Sequence, residues 1–594
     1  MNSETRVCQG CGGDFIVDSD DLAFYEKINV PLPTFCWLCR VERRFQFRNE
    51  RNLYKRTCGS SGKEIFSMYP PELPVQVYEK DVWLSDAWDA TTYGVDVDFS
   101  RPFFEQVRDL WRRVPLKNLN LVNAVETEFA NHFTNPKRCY LTFNGNNSEE
   151  CMYGNGITQC RDCVDVSHMA KCEDCYESFW LTGCTRAFYS SNCENSFDIA
   201  FCKNCAGCSS CFGCVGLRNK QYYILNVPYS KEEYEKHVAA FEWRRFENLA
   251  RIRAEAAAFW MRFPNRYLEG LHNTNVSGNY IDHSKNVRQS FLIRDGENIR
   301  YSQYMQELPG SKDCYDFSIW GDNNQLAYEA VACGIGTYNI RFCLFVQEDV
   351  RNIEYSVLCS GSSDLFGCVG IRKKQYCILN KEYSKEEYEA LVPKIRKHMM
   401  DVPYVDAKGR TYRYGEFFPP EFSPWAFNET IAFDYFPRSQ ADAEAKGLRW
   451  RPVESRSYEV TLETAALPAT IAETDDSILS AVIRCAHGGT CMHQCPGAFK
   501  VTPQELQFYR RHGLPVPRLC PICRHYERLS QRSKLQVYPR QCGCGGKISS
   551  DGAYTNAGIH HHGEAACSNQ FETCYAPDRK DIVYCEQCYQ AEVV

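Results

Sequence analysis

Two C-x-x-C pairs, Cys8 with Cys11 and Cys36 with Cys39, stand at the start of the chain, and three cysteines with the same spacing return near its end. From Cys11 to Cys36 and from Cys495 to Cys520 is 25 positions, and from Cys39 to Cys58 and from Cys523 to Cys542 is 19. Paired knuckles of this kind can place four thiolates around one zinc ion, at Zn–S distances of about 2.3 Å. The second knuckle opens a basic helical segment, where a helix N-terminus favours negative charge. The text between the cysteines also agrees, "FIVDSDDLAFYEKINVPLPTFCWLCRVERR" beside "FKVTPQELQFYRRHGLPVPRLCPICRHYER". The two ends are therefore copies of each other.

The second copy has Met492 where the first has Cys8. Cys491 is the preferred replacement, completing a set with Cys495, Cys520 and Cys523; His493, Cys485 and His487 are competitors. A third site is expected in the tail, where Cys542 and Cys544 (C-x-C) face Cys585 and Cys588 (C-x-x-C). Its counterparts in the first copy are Cys58, Ser60, Glu79 and Val82, which cannot hold zinc as a set. His560, His561 and His562 lie in an insertion and are read as a solvated loop with Cys567 and Cys574 packed nearby. The expected cofactor is zinc, about three ions in closed structural sites that leave no open coordination position.

Each end resembles the zinc-ribbon (treble-clef) domains, through the pattern C-x-x-C … F … FY … P-x-x-C-x-x-C-R over about 45 residues. That resemblance implies one zinc on Cys8, Cys11, Cys36 and Cys39, and another on Cys495, Cys520 and Cys523. The chain as a whole, including "SPWAFNETIAFDYFP" and "YAPDRKDIVYCEQCYQAEVV", resembles a bacterial Cys-rich zinc-ribbon family, and the resemblance implies no activity.

The middle of the chain is periodic. Cys151, Cys172, Cys193 and Cys214 are 21 apart, as are Cys163, Cys184 and Cys205, which predicts 21-residue coils of a β-solenoid. Leu181 falls in a cysteine series, so these columns read as an apolar interior, the usual place of a free thiol. The run Cys202, Cys205, Cys208, Cys211 and Cys214 is denser than the rest and leaves a metal open. "FGCVGLRNKQYYILNVPYSKEEYE" recurs as "FGCVGIRKKQYCILNKEYSKEEYE", each with an S-x-x-E capping box that opens a helix to close a stack. Ser318, Cys343 and Cys368 are expected to share one column of the second stack.

The expected architecture is multidomain and mainly β: two Cys-rich β-solenoids flanked by duplicated treble-clef ends, with connecting and capping helices. The parts are a treble clef at 1–58, a mixed segment with a degenerate ribbon at 59–135 and a first solenoid at 136–229. Capping and linking helices follow at 230–270, a second solenoid at 271–383 and a helix with a Pro- and aromatic-rich strap at 384–477. The second clef spans 478–541 and a ribbon 542–594.

A net charge of −7 argues against a general nucleic-acid coat. Cysteines without a leader segment place the chain in the cytoplasm, where thiols stay reduced, and no run is apolar enough to cross a membrane. No nucleophile, base and orienter stand together, so a non-enzymatic scaffold with a protein partner is the expected function. The alternative is RNA or DNA binding through Arg40, Arg43, Arg44, Arg48 and Arg51 and, in the second copy, Arg524, Arg528 and Arg532. Against it, these arginines could pair with Glu42, Glu50 and Glu527. An enzyme of the β-helix type is the least favoured.

Overall fold

The computed structural model describes residues 3–452 and 458–593, so residues 453–457 of the strap lie outside the described residues. Two stacks of parallel strands form its centre, one from Leu121–Val122 to Val227–Pro228 and one from Thr274–Asp282 to Lys381–Glu382. In the first stack each residue pairs with the one twelve positions on, as in Asn155 with Ser167, Val164 with Tyr176 and Thr185 with Phe197. The coil is thus 12 residues, not the expected 21. The second stack is less regular, with steps of 11, 12, 13 and 15 residues.

The reason lies in a shorter period. Every third residue from Asn123 to Leu225 sits in the left-handed region, with φ between 45° and 69°. The residue after each such corner turns inward, so a coil has four short sides and four interior positions. Cysteines therefore recur at multiples of three, and 21 is one such multiple without being the coil. A left-handed corner costs free energy for most side chains, and asparagine tolerates it best. Asparagine ladders run along these corners, with Asn123 donating to Asn135 at 3.0 Å and Asn135 to Asn147 at 2.7 Å.

The cysteines from Cys139 to Cys214 are all buried. Each places its Sγ 3.2–3.5 Å from the carbonyl two residues earlier. Ser178 and Ser190 make the same bond from equivalent interior positions. Small side chains with one weak donor suit a narrow interior lined by carbonyls. In the second stack Phe317, Ala330 and Cys343 share a column, whereas Ser318 pairs with Val331 and lies one position off it.

Burial pushes the thiols of Cys314, Cys333 and Cys359 up to about 12 from 9.0. Above pH 9 the unfolded chain releases these protons while the folded chain holds them, so unfolding becomes easier as pH rises towards 12. The urea midpoint is expected to fall over that interval, and to fall less in a variant with all three replaced by Ala. An equal fall in both would assign the effect to other groups.

Each stack ends in an antiparallel hairpin, and the capping boxes Ser230–Glu233 and Ser384–Glu387 open the helices Lys231–Ala240 and Lys385–Asp401 as the sequence predicts. The helix Phe246–Trp260 buries Leu249, Ile252 and Ala256 with Tyr176, Phe188 and Phe201 of the first stack. The strap buries Phe417, Phe418, Trp425 and Phe433 in the core shared by the first clef and the second stack.

The two stacks lie side by side and antiparallel. His132 stacks on Phe345, His168 on Tyr304 and Trp180 on Tyr280, so one chain direction ascends as the other descends. The terminal clefs then cross over. The helix Trp37–Phe45 of the first clef packs on the second stack, and the helix Pro521–Leu529 of the second clef packs on the first. No helix among the described residues is long and apolar enough to cross a membrane.

Candidate metal centres

In the first clef Cys8, Cys11, Cys36 and Cys39 bring their sulfurs within 4.8 Å of one another, as expected. Strand Glu4–Val7 delivers Cys8 and strand Asp14–Val17 returns the chain. Cys36 caps the helix Trp37–Phe45 and its N–H donates to Cys8 Sγ at 3.1 Å.

The second clef departs from the expected set. Cys485, Cys495, Cys520 and Cys523 form the four-thiol group, and Cys491 is not in it. Cys485 occupies the place of Cys8 by three matched bonds. Its N–H donates to Gly497 O as that of Cys8 does to Gly13 O, and Ala486 N–H donates to Arg518 O as Gln9 N–H does to Thr34 O. Cys520 N–H donates to Cys485 Sγ at 3.3 Å. Cys8 and Cys11 are three positions apart whereas Cys485 and Cys495 are ten apart; the second copy has an insertion inside its first knuckle. The insertion breaks the spacing, so position alone points to Cys491; the strand Ile483–Arg484 leads into Cys485 as Glu4–Val7 leads into Cys8. The inserted residues make a second group of their own, His487, Cys491 and His493 with Cys523.

The tail repeats this arrangement. Cys542, Cys567, Cys585 and Cys588 form one group, so Cys567 takes the place expected for Cys544. Pairing of Tyr538 with Thr573, matched by Tyr54 with Ser67, puts Ser61 rather than Ser60 at the place of Cys567. The insertion between Cys542 and Cys567 carries Cys544, His560 and His562, which meet at Cys588 in a further group. Two of the three consecutive histidines thus converge, while His561 is exposed. They converge because the chain turns between them: His560 Nδ1 lies 3.6 Å from Cys544 Sγ and His562 Nε2 3.2 Å from Cys588 Sγ. The Glu592 carboxylate lies 2.7 Å from His560 Nε2, which leaves Nδ1 free to face the centre. Cys574 stays outside the group, its Sγ 3.8 Å from Gly278 O on the second stack.

Among the described residues all such groups lie in the two ends. The run from Cys202 to Cys214 lies on successive sides of the coil, with every Sγ facing a carbonyl.

The arginines singled out for nucleic acid are turned inward. Arg40 meets Asp316 at 2.7 Å, Arg43 meets Glu329 at 2.6 Å and Glu416 at 2.9 Å, and Arg44, at 0% exposure, meets Asp316 and Glu329. In the second clef Arg524 meets Asp165 at 2.6 Å and Glu505 at 3.2 Å, and Arg528, at 1%, meets Asp165 and Glu177. The last arginine of each helix makes the same bonds. Arg44 donates to Ser318 Oγ and Tyr301 O, and Arg528 to Ser167 Oγ and Tyr153 O. Asp165, Glu177, Asp316 and Glu329 are all left-handed corners, so carboxylates on successive coils stack into a column that receives a helix. Arg48 is buried against Glu50, Arg51 reaches Asp434, and Arg532 donates to Asp434 O and lies over Tyr435. Of these pairs the sequence predicts only Arg48–Glu50, because the other partners are distant in sequence.

No protein-family model and no curated protein matches the chain. Among solved structures, one match is a protein described as a candidate acetyltransferase from Desulfovibrio desulfuricans G20, at 7% identity over 49% of this chain and 84% of that one. Its TM-score of 0.10 carries no argument.

Proposed function

We propose that the chain is a non-enzymatic, zinc-stabilised scaffold of the cytoplasm, whose paired solenoids present a rigid surface to a protein partner. One observation carries this reading. Each group is closed by four protein donors, and each clef so formed is held by buried ion pairs to the solenoid remote from it in sequence. Metal, clef and solenoid therefore make one rigid body. Zinc suits the donors: a tetrahedron with Zn–S near 2.3 Å has edges of about 3.8 Å, and Cys11–Cys36, Cys485–Cys523, Cys495–Cys520 and Cys567–Cys585 span 3.8–3.9 Å. Sets of thiolate and imidazole fit zinc better than hard cations. Nucleic-acid binding through the clef helices draws no support from arginines committed to carboxylates.

Elemental analysis of protein purified without chelator or His-tag is expected to return zinc, at least one ion for each of the three knuckle domains, and no iron. Stoichiometric iron, or no metal, would overturn the zinc reading. A panel of polysaccharides is expected to remain intact on incubation, and turnover of any of them would overturn the non-enzymatic one.

A further inference from the structure

The four-donor groups of the second clef and of the tail overlap: Cys523 belongs to two, and so does Cys588. We infer that each is a two-zinc centre in which one thiolate bridges both ions, Cys523 in the clef and Cys588 in the tail. The inference rests on the zinc reading above and extends it from one ion per domain to two in these domains.

Three observations carry it. The first is distance: Cys523 Sγ lies 3.9 Å from Cys485 Sγ in one group and 3.7 Å from Cys491 Sγ in the other. Both are edges of a zinc–thiolate tetrahedron, so a single sulfur stands at a corner of each. The second is convergence. In both domains an insertion within the first knuckle supplies three donors, and in both the shared residue is the last cysteine of the second knuckle. The insertions, "AHGGTCMHQ" and the stretch from Gly543 to Ala566, differ in length and order. Each centre nevertheless holds five cysteines and two histidines. The third is polar satisfaction: His487 and His493 each leave a buried Nδ1 without a partner, which is costly unless something binds there.

Charge supplies the physical reason. Four thiolates around one zinc ion carry a net charge of 2−, in a site made of buried cysteines. Five thiolates and two neutral imidazoles around two zinc ions carry 1−, so the second ion lowers the desolvation cost. Each thiol that binds releases its proton to solvent. The first clef lacks the insertion and keeps one ion, so the chain would hold five: one, two and two.

The test is metal content of the full chain and of two variants, Cys491→Ser and His562→Ala. Five zinc ions are expected in the parent and four in each variant. After exchange of zinc for cobalt(II), the parent is expected to lose part of its low-temperature EPR intensity to coupling through the shared sulfur, and each variant to regain the share of its own centre. Three ions in the parent, unchanged in both variants, would overturn the bridge and leave the zinc scaffold standing. No zinc at all would overturn both. Five ions with full, uncoupled EPR intensity would also overturn the bridge.

Discussion

Replacement of Arg44 by Met is expected to destabilise the full chain by about 3–5 kcal/mol, the usual cost of leaving a buried charge without its partner. Arg40, Arg43 and Arg44 face Asp316, Glu329 and Glu416, three cations against three anions. Without Arg44, two guanidinium groups remain for three carboxylates that are almost wholly removed from water. Arg528→Met is the matched variant at the other end, where Arg253 joins Arg524 and Arg528 against Asp165, Glu177 and Glu505. Urea unfolding measures both. Adding Glu329→Gln to Arg44→Met restores the balance and is expected to recover part of the loss. Arg251→Met is the control, since its pair with Glu255 is exposed on a helix and is worth about 0.3–0.5 kcal/mol. A loss under about 1 kcal/mol for Arg44→Met would mean that water reaches the network, and the docking argument would fail.

Removal of metal is expected to have the larger effect, but a local one. Structural zinc contributes on the order of 10 kcal/mol to the folding of small knuckle domains, more than the packing of a domain of this size supplies. With chelator, amides of the helices Pro503–His512 and Pro521–Leu529 should lose protection from hydrogen exchange. Strands of the first stack between Val164 and Phe212 should keep theirs, because no donor group includes a solenoid cysteine among the described residues. Cys520→Ser should reproduce the pattern in the second clef and spare the first. Equal loss of protection in the stack would show that the clef and solenoid fold as one unit, while unchanged clef helices would show that metal does not hold them.

The order of these effects follows from the construction. The solenoid makes its own hydrogen bonds coil to coil and fills its interior with small side chains. The clefs share their buried core with the solenoids, gather their donor groups within and rest on ion pairs beneath. The docking arginines lie on the same helices that carry the second-knuckle cysteines. Cys520 caps the helix whose Arg524 and Arg528 reach the first stack. Metal loss should therefore loosen the salt-bridge network as well.

The sequence alone determined what depends on short intervals. The first cysteine knuckles, the duplication, the capping boxes and the use of solenoid cysteines as interior side chains follow from spacings of a few to about 25 residues. Period was legible only up to a multiple. Inward positions recur every three residues, and many multiples of three fit the cysteine series, but only hydrogen bonds between neighbouring coils select twelve. The ligands Cys485 and Cys567 were hidden by insertions, since a chain that loops out and returns keeps its geometry and loses its spacing. Only tertiary structure decided that two of the three consecutive histidines converge on a shared cysteine, and that a helix rich in arginine faces inward. In both cases the partner is remote in sequence, as Arg44 is from Asp316, so charge and composition along the chain cannot show which groups burial will bring together.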